Sequence, residues 1–148
     1  MIYLGADHGG YELKEKIRKH LKEKEIAFTD MGTHSTESVD YPDYAFVVGE
    51  RVRDGGPNDF GILFCTTSIG TCIAANKIKG IRGAVGYSVG AVERARNDVD
   101  ANVLCLGGAE MDHNEAIKAV DVFLETPFSN AERHVRRLSK IQKREQEE

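Results

Sequence analysis

The chain has no apolar run long enough to span a bilayer. Its N-terminus, MIYLGADHGG, lacks the charged head and apolar core of a secretion signal and instead has the composition of a first strand. Cysteine is scarce and odd in number. Cys65, Cys72 and Cys105 have no scaffold-like spacing, which predicts reduced thiols and a cytoplasmic setting. Cys65 and Cys72 also lack the close His and Cys neighbours of a zinc site, so no metal is expected. Positive charge is not in excess: the net charge of -4 gives no reason to expect nucleic acid or an anionic membrane as partner. Local basic clusters remain able to hold a small anion. There is no G-x-G-x-x-G fingerprint, internal repeat, low-complexity tract or linker. At 148 residues the natural reading is one domain, 1–148.

What is present is an alternation of short β-rich runs with helical patterns. Strands are predicted at Ile2–Ala6, Ile26–Met31, Phe60–Phe64, Gly83–Gly86 and Asn102–Leu106. Helices are predicted at Tyr11–Lys24, where Leu13, Ile17 and Leu21 form one face, and at Tyr41–Arg53, entered at Pro42. Further helices are predicted at Ile69–Lys77, Val89–Asn97, His113–Leu124 and from Ala131 to the end, whose polar last turns are expected to fray. Such alternation implies a parallel sheet covered on both sides, a Rossmann-like α/β/α sandwich with its ligand beyond the carboxyl ends of the strands. Asp7-His8, Cys65–Thr67 and Tyr87-Ser88 then fall on one rim.

The stretch GILFCTTSIGTCIAANK, residues 61–77, carries the most chemistry. A thiol at the end of a buried strand, beside the free amides of a helix start, suits proton transfer or anion binding. Cys65 is the candidate acid/base. The amides and hydroxyls of Thr66, Thr67, Ser68, Ile69 and Gly70 are candidates to hold a developing oxyanion. Cys72 and Cys105 lie within apolar patterns and are read as small buried hydrophobes. Asp7-His8-Gly9-Gly10 permits two readings: a ligand loop in which glycines allow close backbone approach, or an N-cap with a tight turn. Arg133 and Arg137, at i, i+4 spacing, are either a phosphate grip or a solvated charged face.

These pieces, in this order, resemble the ribose-5-phosphate isomerase B family, the sugar-phosphate isomerases that include the two galactose-6-phosphate isomerase subunits. The likeness rests on GADHGGYELK, MGTHSTESVDYPDYA, ILFCTTSIGTCIAANKIKGIRGA, DANVLCLGG and RHVRR. It implies a five-stranded parallel sheet and a homodimer, or dimer of dimers, with active sites shared across the interface. It implies no metal or organic cofactor, and a phosphorylated-sugar substrate isomerised between aldose and ketose through an enediol. By the same resemblance Cys65 carries the proton, Thr67 steadies the enediolate, Asp7, His8 and Tyr41 meet the sugar and phosphate, and Arg133 and Arg137 clamp phosphate from a neighbouring subunit. The C-terminal helix, about 131–146, then packs on the partner.

The chain also departs from that pattern. CTTSIG stands where the family usually has CGTGIG, so Thr66 and Ser68 replace glycines; a positive φ at either costs on the order of 1 kcal/mol. The family's ring-opening histidine falls on Asp98, its following asparagine on Val99, and a phosphate-contacting arginine on Ala109. Three readings follow. Asp98 serves as a carboxylate base on the ring hydroxyl; or the substrate is a tetrose 4-phosphate that cannot close a furanose; or the chain resembles the galactose-6-phosphate isomerase subunit that works with a partner chain. A silent sugar-phosphate-binding subunit is the competing class. Ribose 5-phosphate to ribulose 5-phosphate is the default substrate pair.

Overall fold

The computed structural model describes residues 1–148. The first half contains β1 (Ile2–Ala6), α1 (Tyr11–Glu23), β2 (Phe28–Asp30), α2 (Tyr41–Asp54), β3 (Phe60–Cys65) and α3 (Ile69–Ala75). The second half contains β4 (Gly83–Val85), α4 (Val89–Val99), β5 (Val103–Gly107), α5 (His113–Glu125) and α6 (Glu132–Glu147). The strands form one five-stranded sheet in the order β2-β1-β3-β5-β4, and every pair is parallel. No helix is long and apolar enough to cross a membrane.

Strand pleating sorts the core into two sides. Leu4, Ile62, Leu104 and Ala84 are in register across the sheet and face α1, α4 and α5, where Leu13, Ile17, Leu21, Val92, Ala116 and Phe123 close the larger cluster. Leu63 and Cys105, next along their strands, point the other way, onto Val48 and Val52 of α2 and Ala74 and Ala75 of α3. Cys65 shares the parity of Leu63, so its side chain emerges on the α2/α3 side at the strand's carboxyl end. That side is the thinner one, and Phe46, Val47, Ile69 and Ile73 remain exposed on it.

Local chemistry sets the element ends. Pro42 sits in the first turn of α2. Ser88 caps α4 by accepting from the Ala91 amide, and Asp112 caps α5 by accepting from the Asn114 and Glu115 amides. The expected strand from Ile26 is shorter because Ile26 serves to end α1. Glu25 takes a φ of 57°, and the Ile26 amide reaches back to the Leu21 carbonyl at 2.9 Å. α4 runs two residues beyond Asn97, to a left-handed Asp100 that pairs with Arg96 at 2.8 Å. The polar end of α6 stays helical to Glu147, with the Glu145 carboxylate accepting from the Gly80 amide at 3.2 Å.

Candidate active site

The loops after β1 and β3 meet at the carboxyl rim, on adjacent strands whose following helices, α1 and α3, lie on opposite faces. A crevice opens where neighbouring connections diverge in this way. The two glycines after Asp7-His8 make room for protein rather than for ligand. A Cβ at Gly9 would collide with the Thr66 hydroxyl, and one at Gly10 with the Phe64 carbonyl. That corrects the expectation that they admit a ligand to the backbone. The Asp7 carboxylate closes the turn, its Oδ1 accepting from the amides of Gly9 (2.9 Å) and Gly10 (3.1 Å). The turn reading therefore holds for one oxygen, and Oδ2 makes no hydrogen bond within the chain. His8 is exposed, and its Nδ1 accepts the Val39 amide at 3.2 Å. The neutral ring then carries its proton on Nε2, which can donate to an anion.

Cys65 ends β3 and is only 4% exposed, yet its sulfur is not in an apolar seal. Sγ accepts the Ser68 amide at 3.1 Å and lies 3.4 Å from Thr71 Oγ1. Ser68 achieves this with a φ of 70°, in the left-handed region, whereas Thr66 does not have positive φ. Of the two replaced glycines, only the second therefore stands in a conformation that favours glycine. The oxyanion expectation is also narrowed. The Ser68 amide is committed to sulfur and the Ile69 amide to Thr67 Oγ1 at 3.4 Å, while the amides of Thr66, Thr67 and Gly70 have no partner in the chain. Thr66 and Thr67 are exposed. A cleft of about 330 Å³ opens beside them, lined by Thr67, Ser68, Gly107, Tyr87 and Glu110; Cys65 is not in its wall. Tyr41, the first residue of α2, lays its ring against Gly70, where a Cβ would sit 2.7 Å from a ring carbon. Ser88, on the same rim, acts as a cap.

The other two thiols differ from Cys65. Cys105 is fully buried, and the neighbouring Cys72 thiol, together with burial, holds its ionisation well above the ordinary range; Cys105 in turn draws Cys72 below it. Neither receives a backbone amide.

A strap from 31 to 40 fixes the histidine and the tyrosine together. The Gly32 carbonyl accepts from the Ala6 amide (2.7 Å), and the Thr33 amide donates to the Ala6 carbonyl (2.8 Å). Upstream, Asp30 Oδ1 accepts from the Gly32 amide at 2.9 Å, and the Asp30 carboxylate receives the fully buried Lys14 ammonium at 2.6 and 2.7 Å. Sequence reasoning missed this pair. The local signal was a lysine beside the buried stripe of α1, and nothing local pointed to its partner.

The remaining candidates form a second cluster. α4 leaves the carboxyl rim after Ser88 and runs back, so Asp98 lies roughly 14 Å along the helix from Val89. Its Oδ1 accepts from Asn97 Nδ2 at 2.7 Å and stands 3.9 Å from Nε2 of the buried His134 in α6. Arg133 and Arg137, on the same helix, are exposed and make neither ion pair nor hydrogen bond with side chains of the chain. The structure thus brings together Asp7, His8, Tyr41 and Cys65–Gly70 on one side, and Asp98, Arg133 and Arg137 on another. The two sets do not meet within the chain. No group of three His, Cys, Asp or Glu side chains is arranged to hold a metal ion.

The first cluster offers a thiol under an amide, orphan amides suited to an oxyanion and an imidazole proton suited to a phosphate oxygen. Comparison with known proteins shows what the chain as a whole is similar to. Residues 2–141 match the family described as Ribose/Galactose Isomerase. A protein of Mycoplasma genitalium named "Probable ribose-5-phosphate isomerase B" is 42% identical over 147 residues, 99% of this chain and 96% of its own. A "Putative sugar phosphate isomerase" of Rickettsia bellii is 43% identical, covering 95% of this chain and 96% of its own. Among solved structures, ribose-5-phosphate isomerase B of Clostridium thermocellum superposes with a TM-score of 0.94 at 41% identity, covering 99% of this chain and 97% of that one. The Mycoplasma genitalium enzyme with bound ribulose-5-phosphate gives 0.92 at 41%, with the same coverage.

Proposed function

The chain belongs to the ribose/galactose isomerase family, and from that premise we propose how its two clusters carry out the reaction. The protein is an enzyme, a sugar-phosphate aldose–ketose isomerase, and ribose 5-phosphate to ribulose 5-phosphate is its substrate pair. The observation that carries the catalytic assignment is the Cys65 sulfur under the Ser68 amide at 3.1 Å. A hydrogen-bond donor fixed on sulfur is placed to meet the charge of a thiolate. The thiolate takes the proton from C2 of the aldose. The electron pair left behind forms the C1–C2 double bond, and the carbonyl oxygen becomes an enediolate oxygen, met by the free amides of Thr66, Thr67 and Gly70 with the Thr67 hydroxyl. The C2 hydroxyl proton passes to O1, the C2 oxygen becomes the new carbonyl as the double bond's electron pair takes the proton that the thiol returns to C1, and the ketose results. His8 donates from Nε2 to phosphate, while Asp7 Oδ2 and Tyr41 orient hydroxyls.

Asp98, Arg133 and Arg137 enter this site from a second copy of the chain, the arginines on phosphate and Asp98 on the ring oxygen. Two features support this: both arginines are exposed without a counter-charge, and Phe46, Val47, Ile69 and Ile73 leave an apolar face for a partner to cover. Complementation tests the arrangement. Cys65→Ala and Arg137→Ala are each expected to be nearly inactive. Mixed and refolded together, they should regain about a quarter of wild-type activity, because half the random dimers then hold one intact site. No recovery in a mixture shown to contain heterodimers contradicts a shared site. A panel of four-, five- and six-carbon aldose phosphates tests the substrate; tetrose phosphate outpacing ribose phosphate would overturn the ribose assignment.

A further inference from the structure

We propose that Thr71 is a positioning residue for the Cys65 thiol, a hydroxyl that reverses its hydrogen bond as the sulfur gains or loses a proton. The inference rests on the reading of Cys65 as the base. Thr71 is fully buried in the first turn of α3, and its Oγ1 has two hydrogen-bond partners, the Ser68 carbonyl, to which it donates at 3.2 Å, and Cys65 Sγ at 3.4 Å; the buried Cys105 thiol also faces it from β5. A hydroxyl has one proton and two lone pairs. While its proton is on the Ser68 carbonyl, a lone pair faces the sulfur and receives the S–H.

When sulfur is ionised that donor is gone, and the hydroxyl can turn its own proton onto the thiolate. The turn leaves nothing unpaired, because the Ser68 carbonyl also accepts the Cys72 amide at 3.1 Å. The thiolate is then held by two donors, the Ser68 amide and the Thr71 hydroxyl. During turnover the substrate C2–H bond breaks, its proton goes to sulfur, and its electron pair goes into the enediolate. Thr71 turns back to the carbonyl as the S–H forms, and turns again when that proton is delivered to C1. The left-handed Ser68 makes this possible, since it directs the amide and the carbonyl of one residue to the two partners of the exchange.

The alternative is a helical threonine bonded to the carbonyl three residues back, with the thiol as an idle neighbour. Thr71→Val, which keeps the shape, and Thr71→Ala, a smaller side chain in case valine does not fold, both remove the hydroxyl; Thr71→Ser restores it. The readouts are thiolate absorbance at neutral pH, as the difference from Cys65→Ala, and kcat with KM. Losing one charge-assisted donor predicts a thiolate-to-thiol ratio about fivefold lower in the valine and alanine variants. Serine should bring it back to within about twofold, and kcat should fall in parallel at constant KM. An unchanged ratio in folded valine or alanine variants overturns the role of Thr71. A lowered ratio with undiminished kcat leaves Thr71 acting on the thiol and removes Cys65 as the base, so the two failures are distinguishable.

Discussion

Asp30→Asn is the most informative single perturbation of the scaffold. Lys14 is fully buried, and its ammonium meets the Asp30 carboxylate at 2.6 and 2.7 Å. Breaking a buried pair by removing one charge costs about 3–5 kcal/mol, because the other charge is left uncompensated. Glu15 Oε1, 3.4 Å from the ammonium, remains as a partial counter-charge, which places the expected cost at the lower end, about 3 kcal/mol. For a chain of this length that is a fall in Tm of roughly 10 °C. Lys14→Met should cost less, because the carboxylate it leaves keeps the Gly32 amide at 2.9 Å and Arg18 Nε at 3.3 Å. Combining the two removes both charges while the introduced side-chain amide oxygen still accepts from Gly32, so the double variant should lie within about 1 kcal/mol of wild type. Urea unfolding of the three variants gives the comparison. Equal, additive losses from the two single changes would refute the argument from burial. Because the pair anchors the strap that bears Val39 and leads into Tyr41, Asp30→Asn should also raise KM at temperatures where it is folded.

Three further outcomes follow from particular contacts. Ser68→Gly relieves a left-handed residue at φ 70° and should be neutral to stabilising by about 1 kcal/mol in urea unfolding; a clear loss would mean that the serine side chain contributes more than the strain costs. Gly10→Ala drives a methyl into the Phe64 backbone, which cannot move without breaking β3, and should cost at least about 3 kcal/mol; thermal unfolding close to wild type would show that the loop yields. The Asp59 carboxyl is held below its ordinary 3.8 by its hydrogen bond to the N-terminal amine at 2.7 Å. Its lowered folded-state value means that the contribution is present above 3.8 and lost as pH falls through the lower value. Asp59→Asn should therefore flatten the acid limb of stability against pH, and an unchanged limb would show that the pair contributes nothing.

The sheet was legible in the sequence because its inner strands are covered on both faces and read as unbroken apolar runs. Phe60–Phe64 became β3 with one residue added, and Ile2–Ala6 became β1 unchanged. The edge strands were less legible. β2 pairs only with β1, and Ile26, apolar enough for a strand, terminates α1 instead. At the site, Cys65 and its following loop were legible because strand end, thiol and helix start are contiguous. Pairs distant in sequence were not: Lys14 with Asp30, and Val39 with His8, arise from packing that no local pattern encodes. Thr71 reads as an ordinary helical residue until the left-handed turn at Ser68 sets its hydroxyl beside the sulfur. The glycines after His8 permitted two readings, since an approach to ligand and a tight turn against a second loop leave the same mark in a sequence; only the contacts with Thr66 and Phe64 separate them.

Solvent deuterium incorporation during turnover of ribose 5-phosphate in D2O, compared between wild type and Cys65→Ala, tests the central claim most directly. Wild type should form ribulose 5-phosphate carrying solvent deuterium at C1. Cys65→Ala, folded and binding the sugar, should lose both isomerisation and exchange by at least about 100-fold. Exchange persisting at the wild-type rate without the thiol would contradict the account, because another group would then be moving the proton.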